Sequence, residues 1–226
     1  TRSFHVTGVQ TCALPICSPE GLDLSSNDYL GLARHPRVRA AMTQAIAHDG
    51  VGSTGSRLLR GERDAFARVE CRFAAFKGVA RALYLSSGYQ ANLAVLTSLT
   101  EAGDVVLSDE RNHASLIDGM RLSRAGRHVF RHNDVDAVEH LLRTHRGPGE
   151  RFVVTESLFS VDGDMAPLAD YARVCRAHGA HLIVDEAHAV GVFGTRGRGL
   201  VEAAGVEDDV LLTVDTAGKA LGVSGA

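Results

Sequence analysis

From Leu22 onward, short apolar runs alternate with stretches of helical spacing. In "HPRVRAAMTQAIAHDG", Val38, Met42 and Ile46 recur at intervals of four, Pro36 stands where a first helical turn tolerates it, and Gly50 marks the end. That spacing predicts an amphipathic helix. Phe66, Val69, Phe73 and Phe76 share one face of a second helix, which Gly78 stops. Beyond it, "ALYLSS", "DVVLSD", "RHVFRH", "RFVVTES", "HLIVDEA" and "VLLTVD" read as strands, separated by helical segments such as "GYQANLAVLTSL" and "PLADYARVCRAHG". Strands that alternate with helices predict right-handed crossovers and an α/β fold with a mostly parallel central sheet and helices on both faces. Ligands of such sheets sit beyond the carboxyl ends of the strands. The positions that matter are therefore Ser87-Gly88-Tyr89, Asn112-His113, Ser157 to Ser160, Asp185 to His188 and Thr216 to Lys219.

Composition narrows the partners. The chain has 226 residues, is 45% hydrophobic and carries a net charge of -3, with no basic block. Neither nucleic acid nor a membrane surface is an expected partner, and no apolar run is long enough to cross a bilayer. The four cysteines, Cys12, Cys17, Cys71 and Cys175, form no CxxC pair and no metal-ligand spacing, which suits a reducing cytoplasm. Of the 24 basic side chains only two are lysines, Lys77 and Lys219. Residues 1–17 stand apart: "VTGVQTCALPI", Val6 to Ile16, is what a common sequencing-library adapter encodes, so this stretch is expected to be an assembly artefact and the chain a fragment of a longer gene.

Two motifs point elsewhere and lack their context. "GVGSTG", Gly50 to Gly55, matches a dinucleotide fingerprint but follows a helix instead of a strand, so it reads as a turn-rich loop. "DEAH", Asp185 to His188, has no phosphate-binding G-x-x-x-x-G-K-[ST] loop to accompany it. A lysine, an aspartate and two histidines at successive strand ends fit one chemistry better, a carbonyl cofactor held as a Schiff base. A nucleophilic lysine must have its pKa of roughly 10.4 lowered by burial or cationic neighbours. Pyridoxal phosphate (PLP) also wants an anion opposite its ring nitrogen, for which Asp185 is placed. Its phosphate needs a helix N-terminus and hydroxyls, which "SSGYQAN" and Thr216 supply. Taken singly, each residue has an ordinary reading as a solvated lysine, a capping aspartate or a surface histidine.

Seven blocks in order carry a resemblance: "LSSNDYLGL", "GSTGSRL", "SSGYQAN", "NHASLIDGMRLSRA", "TESLFSVDGDMAPL", "VDEAHAVGVFGTRGRG" and "GKALGVSGA". Together they resemble the α-oxoamine synthases, pyridoxal 5'-phosphate enzymes of the aspartate-aminotransferase fold (fold type I). Within that family "DGDMAPL" and "VFRHND" are most similar to the 8-amino-7-oxononanoate synthase branch. Glycine C-acetyltransferase, 5-aminolevulinate synthase and serine palmitoyltransferase are its close relatives. The resemblance implies a homodimer that condenses L-alanine with pimeloyl-CoA or pimeloyl-carrier protein, with decarboxylation. It implies that Lys219 is the Schiff-base lysine, Asp185 the partner of the pyridine nitrogen, His188 a donor to the phenolic oxygen and His113 the residue stacked on the ring. Gly88 and Tyr89 would lie beside the cofactor, Ser160 and Thr216 would be polar contacts to it, and Asn27 would sit at the amino-acid substrate. Residues 18–60 would form an arm and first helix, residues 61–226 the PLP-binding large domain, and the small C-terminal domain would be missing. "GERDAFARVE" and "DTAGK", with Asp215 and Ala217, depart from the family pattern. The alternatives are another α-oxoamine synthase of the glycine C-acetyltransferase or 5-aminolevulinate synthase type, an inactive fragment or non-catalytic binding fold, and a DEAH-type NTPase.

Overall fold

A computed structural model describes residues 25–145 and 147–226. The expectations for residues 1–17 and for the start of the "LSSNDYLGL" block lie outside the described residues.

The first predicted helix forms as α1 (Pro36–Asp49), with the His35 ring accepting from Arg37 N at 3.3 Å as N-cap and Gly50 ending it at φ 78°. Its apolar stripe is left largely exposed: no residue of α1 is buried, and Met42 is 50% exposed. The second, α2 (Asp64–Lys77), ends at left-handed Gly78 but buries Ala74 and Lys77, while the expected face residue Val69 is exposed. A buried lysine overrides the apolar pattern because it enters with its charge paired, as described below.

The remainder alternates as expected: α3 (Gly88–Leu99), β1 (Val105–Asp109), α4 (Ala114–Leu122), β2 (Gly126–Phe130), α5 (Val135–Thr144), β3 (Arg151–Glu156), α6 (Leu168–His178), β4 (His181–Asp185), α7 (Leu200–Ala204) and β5 (Val210–Val214). The strands form one parallel sheet in the order β2-β1-β3-β4-β5. Side-chain alternation splits the core in two. Val106, Phe152, Val154 and Ile183 pack against Leu96 of α3 and Leu116 and Met120 of α4. Leu107, Val153, Leu182 and Val184 pack against Val138 and Leu142 of α5 and Tyr171 and Cys175 of α6. Each such side chain contributes about 1.5–3 kcal/mol on burial. Gly119 lets α4 close on α3: a Cβ there would stand 3.1 Å from the Asn92 carbonyl and 2.9 Å from Leu96 Cδ1.

One expected strand is absent. "ALYLSS" joins no sheet among the described residues, and Leu85 exchanges both main-chain bonds with Ala226, at 2.7 and 2.8 Å. Among the described residues no strand runs beside it, and β5 pairs only with β4. The parallel register brings the carboxyl ends level, with Glu156 opposite Asp185 and Asp185 opposite Val214, so that loops from four strands converge at one edge. No helix among the described residues is long and apolar enough to cross a membrane.

Candidate active site

Asp185 closes β4 and is buried, accepting from Asn92 Nδ2 at 2.6 Å and from Ala187 N at 2.8 Å. It makes no salt bridge among the described residues. Burial raises its pKa, against the two hydrogen bonds and the charges of Lys219 and His113. A buried carboxylate in that condition gains from a cation brought beside it. His188, on the turn after β4, is also buried, and its Nδ1 lies 2.6 Å from the Tyr29 hydroxyl. The same hydroxyl is 3.1 Å from Asn27 Oδ1, which links the expected substrate residue to the histidine. Burial, then the charges of Lys219 and His113, push His188 down to about 4, so the imidazole is neutral at pH 7.

His113 caps α4. Its Nδ1 lies 2.7 Å from Ser115 Oγ and accepts from Ser115 N at 3.2 Å. Tyr89 meets its ring edge-on, centroids 6.3 Å apart. Gly88 opens α3, and a Cβ on it would stand 3.5 Å from Thr216 Cβ and 3.6 Å from Thr216 Oγ1. The N-cap Ser87 Oγ takes only the Gln90 N–H, at 3.2 Å. The Gly88 and Tyr89 N–H groups, which precede the first internal helix bond, thus stand at the start of α3 beside the Thr216 hydroxyl.

Lys219 follows β5 in the turn "TAGK" and is half-buried. Among the described residues its amine has no hydrogen bond and no salt bridge. Burial lowers its pKa, and the charges of Asp185 and Glu156 offset that only in part. Those two carboxylates and both histidines act on one another or on this amine, which brings the expected catalytic residues together at one strand edge.

The family model for aminotransferase class I and II matches residues 19–226. The chain belongs to that family. An 8-amino-7-oxononanoate synthase of Citrifermentans bemidjiense is 46% identical over 226 residues, which is 100% of this chain and 58% of that protein. Among solved structures, Sphingomonas wittichii serine palmitoyltransferase superposes with TM-score 0.86 at 40% identity, covering 88% of this chain and 50% of that one. The 8-amino-7-oxononanoate synthase of Francisella tularensis gives TM-score 0.75 at 32% identity, covering 90% and 56%. Serine palmitoyltransferase has also been solved with PLP, again at TM-score 0.86. The chain thus spans about half the length of the relatives it matches. These matches bear out the resemblance read from the sequence blocks and the α/β class of fold type I.

In the family frame, Ser160 is the residue least tied to the others: it lies on an exposed turn, and no hydrogen bond among the described residues joins it to the cluster. That turn is anchored from behind. His132 Nδ1 meets Asp109 Oδ1 at 2.9 Å, its Nε2 meets Asp164 Oδ2 at 2.5 Å, and Phe159 packs edge-on against its ring at 4.5 Å. Burial pulls the His132 pKa down, but the two carboxylates outweigh it and the net shift is upward. The "VFRHND" and "DGDMAPL" blocks are therefore halves of one contact. Two further residues bond to this cluster and, although they lie inside the "SSGYQAN" and "TESLFSVDGDMAPL" blocks, are not singled out by the sequence: Asn92, one turn into α3, and Glu156, the last residue of β3.

The departure at Asp215 has a structural reason. Lys77 Nζ donates to Asp215 Oδ1 at 2.8 Å, to Glu186 Oε2 at 3.0 Å and to the Arg198 carbonyl at 2.6 Å. Glu186 in turn accepts from Leu200 N at 2.8 Å and Val201 N at 3.1 Å. A charged residue is tolerated at position 215 because a lysine from α2 reaches it. Nothing in the structure explains Ala217.

Proposed function

We propose that this chain carries the PLP-binding unit of an α-oxoamine synthase that joins L-alanine to a pimeloyl thioester. The reaction forms a bond between the α-carbon of alanine and the acyl carbon, releases the thiol and carbon dioxide, and yields 8-amino-7-oxononanoate. The observation that carries the reading is Lys219: a half-buried amine with a lowered pKa and, among the described residues, no bonding partner, beside the buried carboxylate of Asp185, which makes no ion pair among them. The residues present fit PLP. The helix start at Gly88 with the Thr216 hydroxyl beside it suits a phosphate, and a protonated pyridine nitrogen is the cation that Asp185 lacks.

When bound, PLP supplies a ring that withdraws electrons from the α-carbon of an amino acid. Lys219 would hold the cofactor at its aldehyde carbon and, as a free amine, take the α-proton. Asp185, kept from collapse by Asn92 and Ala187 N, would hold the proton at the ring nitrogen. Neutral His188 would donate to the phenolic oxygen, its other nitrogen fixed by Tyr29. His113 would cover one ring face, Tyr89 would flank it, and Ser160 would contact the cofactor from the turn that His132 anchors. Asn27, bonded to Tyr29, would approach the amino-acid substrate. Residues 61–226 would form the PLP-binding large domain and residues 18–60 an arm, in a cytoplasmic homodimer.

The test is spectroscopic. The chain mixed with PLP is expected to show a visible absorbance band that borohydride fixes onto Lys219, and Lys219→Ala is expected to abolish it. A wild-type chain with no reducible band would defeat the reading. The higher TM-score of serine palmitoyltransferase, 0.86 against 0.75, supports a second reading in which the amino acid is serine. Shifts of the band on titration with alanine and with serine separate the two.

A further inference from the structure

We infer that Glu156 is a positioning residue for His113: its carboxylate grips the His113 main-chain N–H and so sets the imidazole over the ring face of the cofactor. The inference rests on the PLP reading above. Glu156 is 4% exposed, ends β3, and accepts from His113 N at 2.6 Å through Oε1. The donor concerned is the one no helix bond can satisfy, because His113 is the cap and α4 begins only at Ala114.

The side chain of His113 is tethered separately. Its Nδ1 meets Ser115 Oγ, which accepts from Asn92 Nδ2 at 2.9 Å, and the same Nδ2 donates to Asp185 Oδ2 at 2.6 Å. The main chain of His113 is therefore tied to the end of β3 and its ring, through two side chains, to the end of β4. Glu156 and Asp185 are partners in the β3–β4 register. A rigid pair of strand ends thus fixes both the residue that meets the pyridine nitrogen and the residue that meets the ring face. With Nδ1 engaged, Nε2 is the nitrogen left without a hydrogen bond among the described residues. Asp185 and Lys219 also act on Glu156, as does Asp109 at the end of β1. A second anion beside Asp185 is an expensive choice for the site unless its acceptor oxygen is needed.

A double-mutant cycle on the full chain tests this, with PLP as the probe and two readouts, its dissociation constant and the circular dichroism of its visible band. Glu156→Ala is expected to weaken PLP about tenfold and to at least halve the dichroism, as the loss of one hydrogen bond to a placed group implies. Glu156→Gln keeps the acceptor and is expected to stay within about twofold of wild type. In a His113→Ala background, which lacks the ring but keeps the N–H, Glu156→Ala is expected to change either readout about twofold or less. Equal losses in both backgrounds, or a Glu156→Gln chain as impaired as Glu156→Ala, overturn the inference. Where Glu156→Ala does not fold, Glu156→Asp takes its place in the same cycle, since it keeps the charge and withdraws the acceptor. A wild-type chain with no reducible band overturns the underlying reading and this inference with it, whereas a wild-type band with additive losses overturns this inference alone.

Discussion

The chain has two lysines, each held near two carboxylates from neighbouring strand ends, and they are in opposite electrostatic states. Lys77 touches Glu186 and Asp215 at 3.0 and 2.8 Å; burial pulls its pKa down, but the two charges outweigh burial and raise it. Lys219 feels Asp185 and Glu156 without bonding to either, burial wins, and its pKa falls. The adjacent residues Asp185 and Glu186 serve the two sides of this division, one accepting from Asn92 and the other from Lys77. Contact decides the outcome: a hydrogen-bonded ion pair locks an ammonium in place, and the same charges at longer range leave an amine free to react.

The comparison breaks most decisively by deleting each lysine. Lys77→Met strands two buried carboxylates and is expected to cost about 3–5 kcal/mol in urea unfolding, enough to unfold many domains of this size. Lys219→Met removes a cation with no bonding partner among the described residues and is expected to change stability by less than about 0.5 kcal/mol while eliminating the reducible PLP band. Equal destabilisation by the two substitutions would mean that Lys219 is structural as well.

Acidity sharpens the same contrast at the reactive side. Burial and the Asp185 charge raise the Glu156 pKa from 4.5 to about 7. The folded state therefore holds this proton more tightly than the unfolded one, and the stability it contributes is present below 4.5 and lost as pH rises through about 7. His188 behaves oppositely: its fall from 6.5 to about 4 contributes stability that is present above 6.5 and lost as pH drops through about 4. Each effect amounts to about 3 kcal/mol. Between about pH 4.5 and 6.5 the two slopes oppose and largely cancel, so Glu156→Gln is expected to unmask a stability that rises with pH in urea unfolding of the cofactor-free chain between about pH 5 and about pH 6.5. A slope unchanged by that substitution would assign it to another group.

The legible parts of the molecule are those where local pattern and packing agree. The runs at 105–109, 151–156 and 181–185 read as buried strands and are buried strands, because both faces of the sheet are covered. "ALYLSS" is likewise a short apolar run yet forms no strand among the described residues, since strand formation depends on a neighbour that the sequence of the segment does not encode. Lys219, Asp185, His113 and His188 are legible as candidates because they end or follow apolar runs or cap a helix, where ligands of such folds collect. Glu156 ends a run just as they do, but a lone glutamate after a strand looks like solvent contact until its 2.6 Å bond to His113 is seen. Lys77 was hidden more deeply: its partners lie 109 and 138 residues away, and nothing local distinguishes a buried lysine from an exposed one.

The smallest expected effect concerns Asp215. Asp215→Asn keeps an acceptor for Lys77, and Thr213, whose hydroxyl lies 2.7 Å from Asp215 Oδ2, can turn from donor to acceptor. What is lost is one of two negative charges facing one ammonium, and burial together with the Asp215 charge already raises the pKa of Glu186. The substitution is therefore expected to change stability by no more than about 1 kcal/mol. Because the chain has only two lysines, carbon-13 labelling of that residue type gives two Cε signals whose titrations are read separately. The Lys219 signal is expected to titrate below 10.5 and the Lys77 signal above it, and Asp215→Asn is expected to lower the second without moving the first. Movement of the Lys219 signal instead would show that the two sites form one electrostatic unit, and contact would then no longer explain why one lysine is locked and the other free.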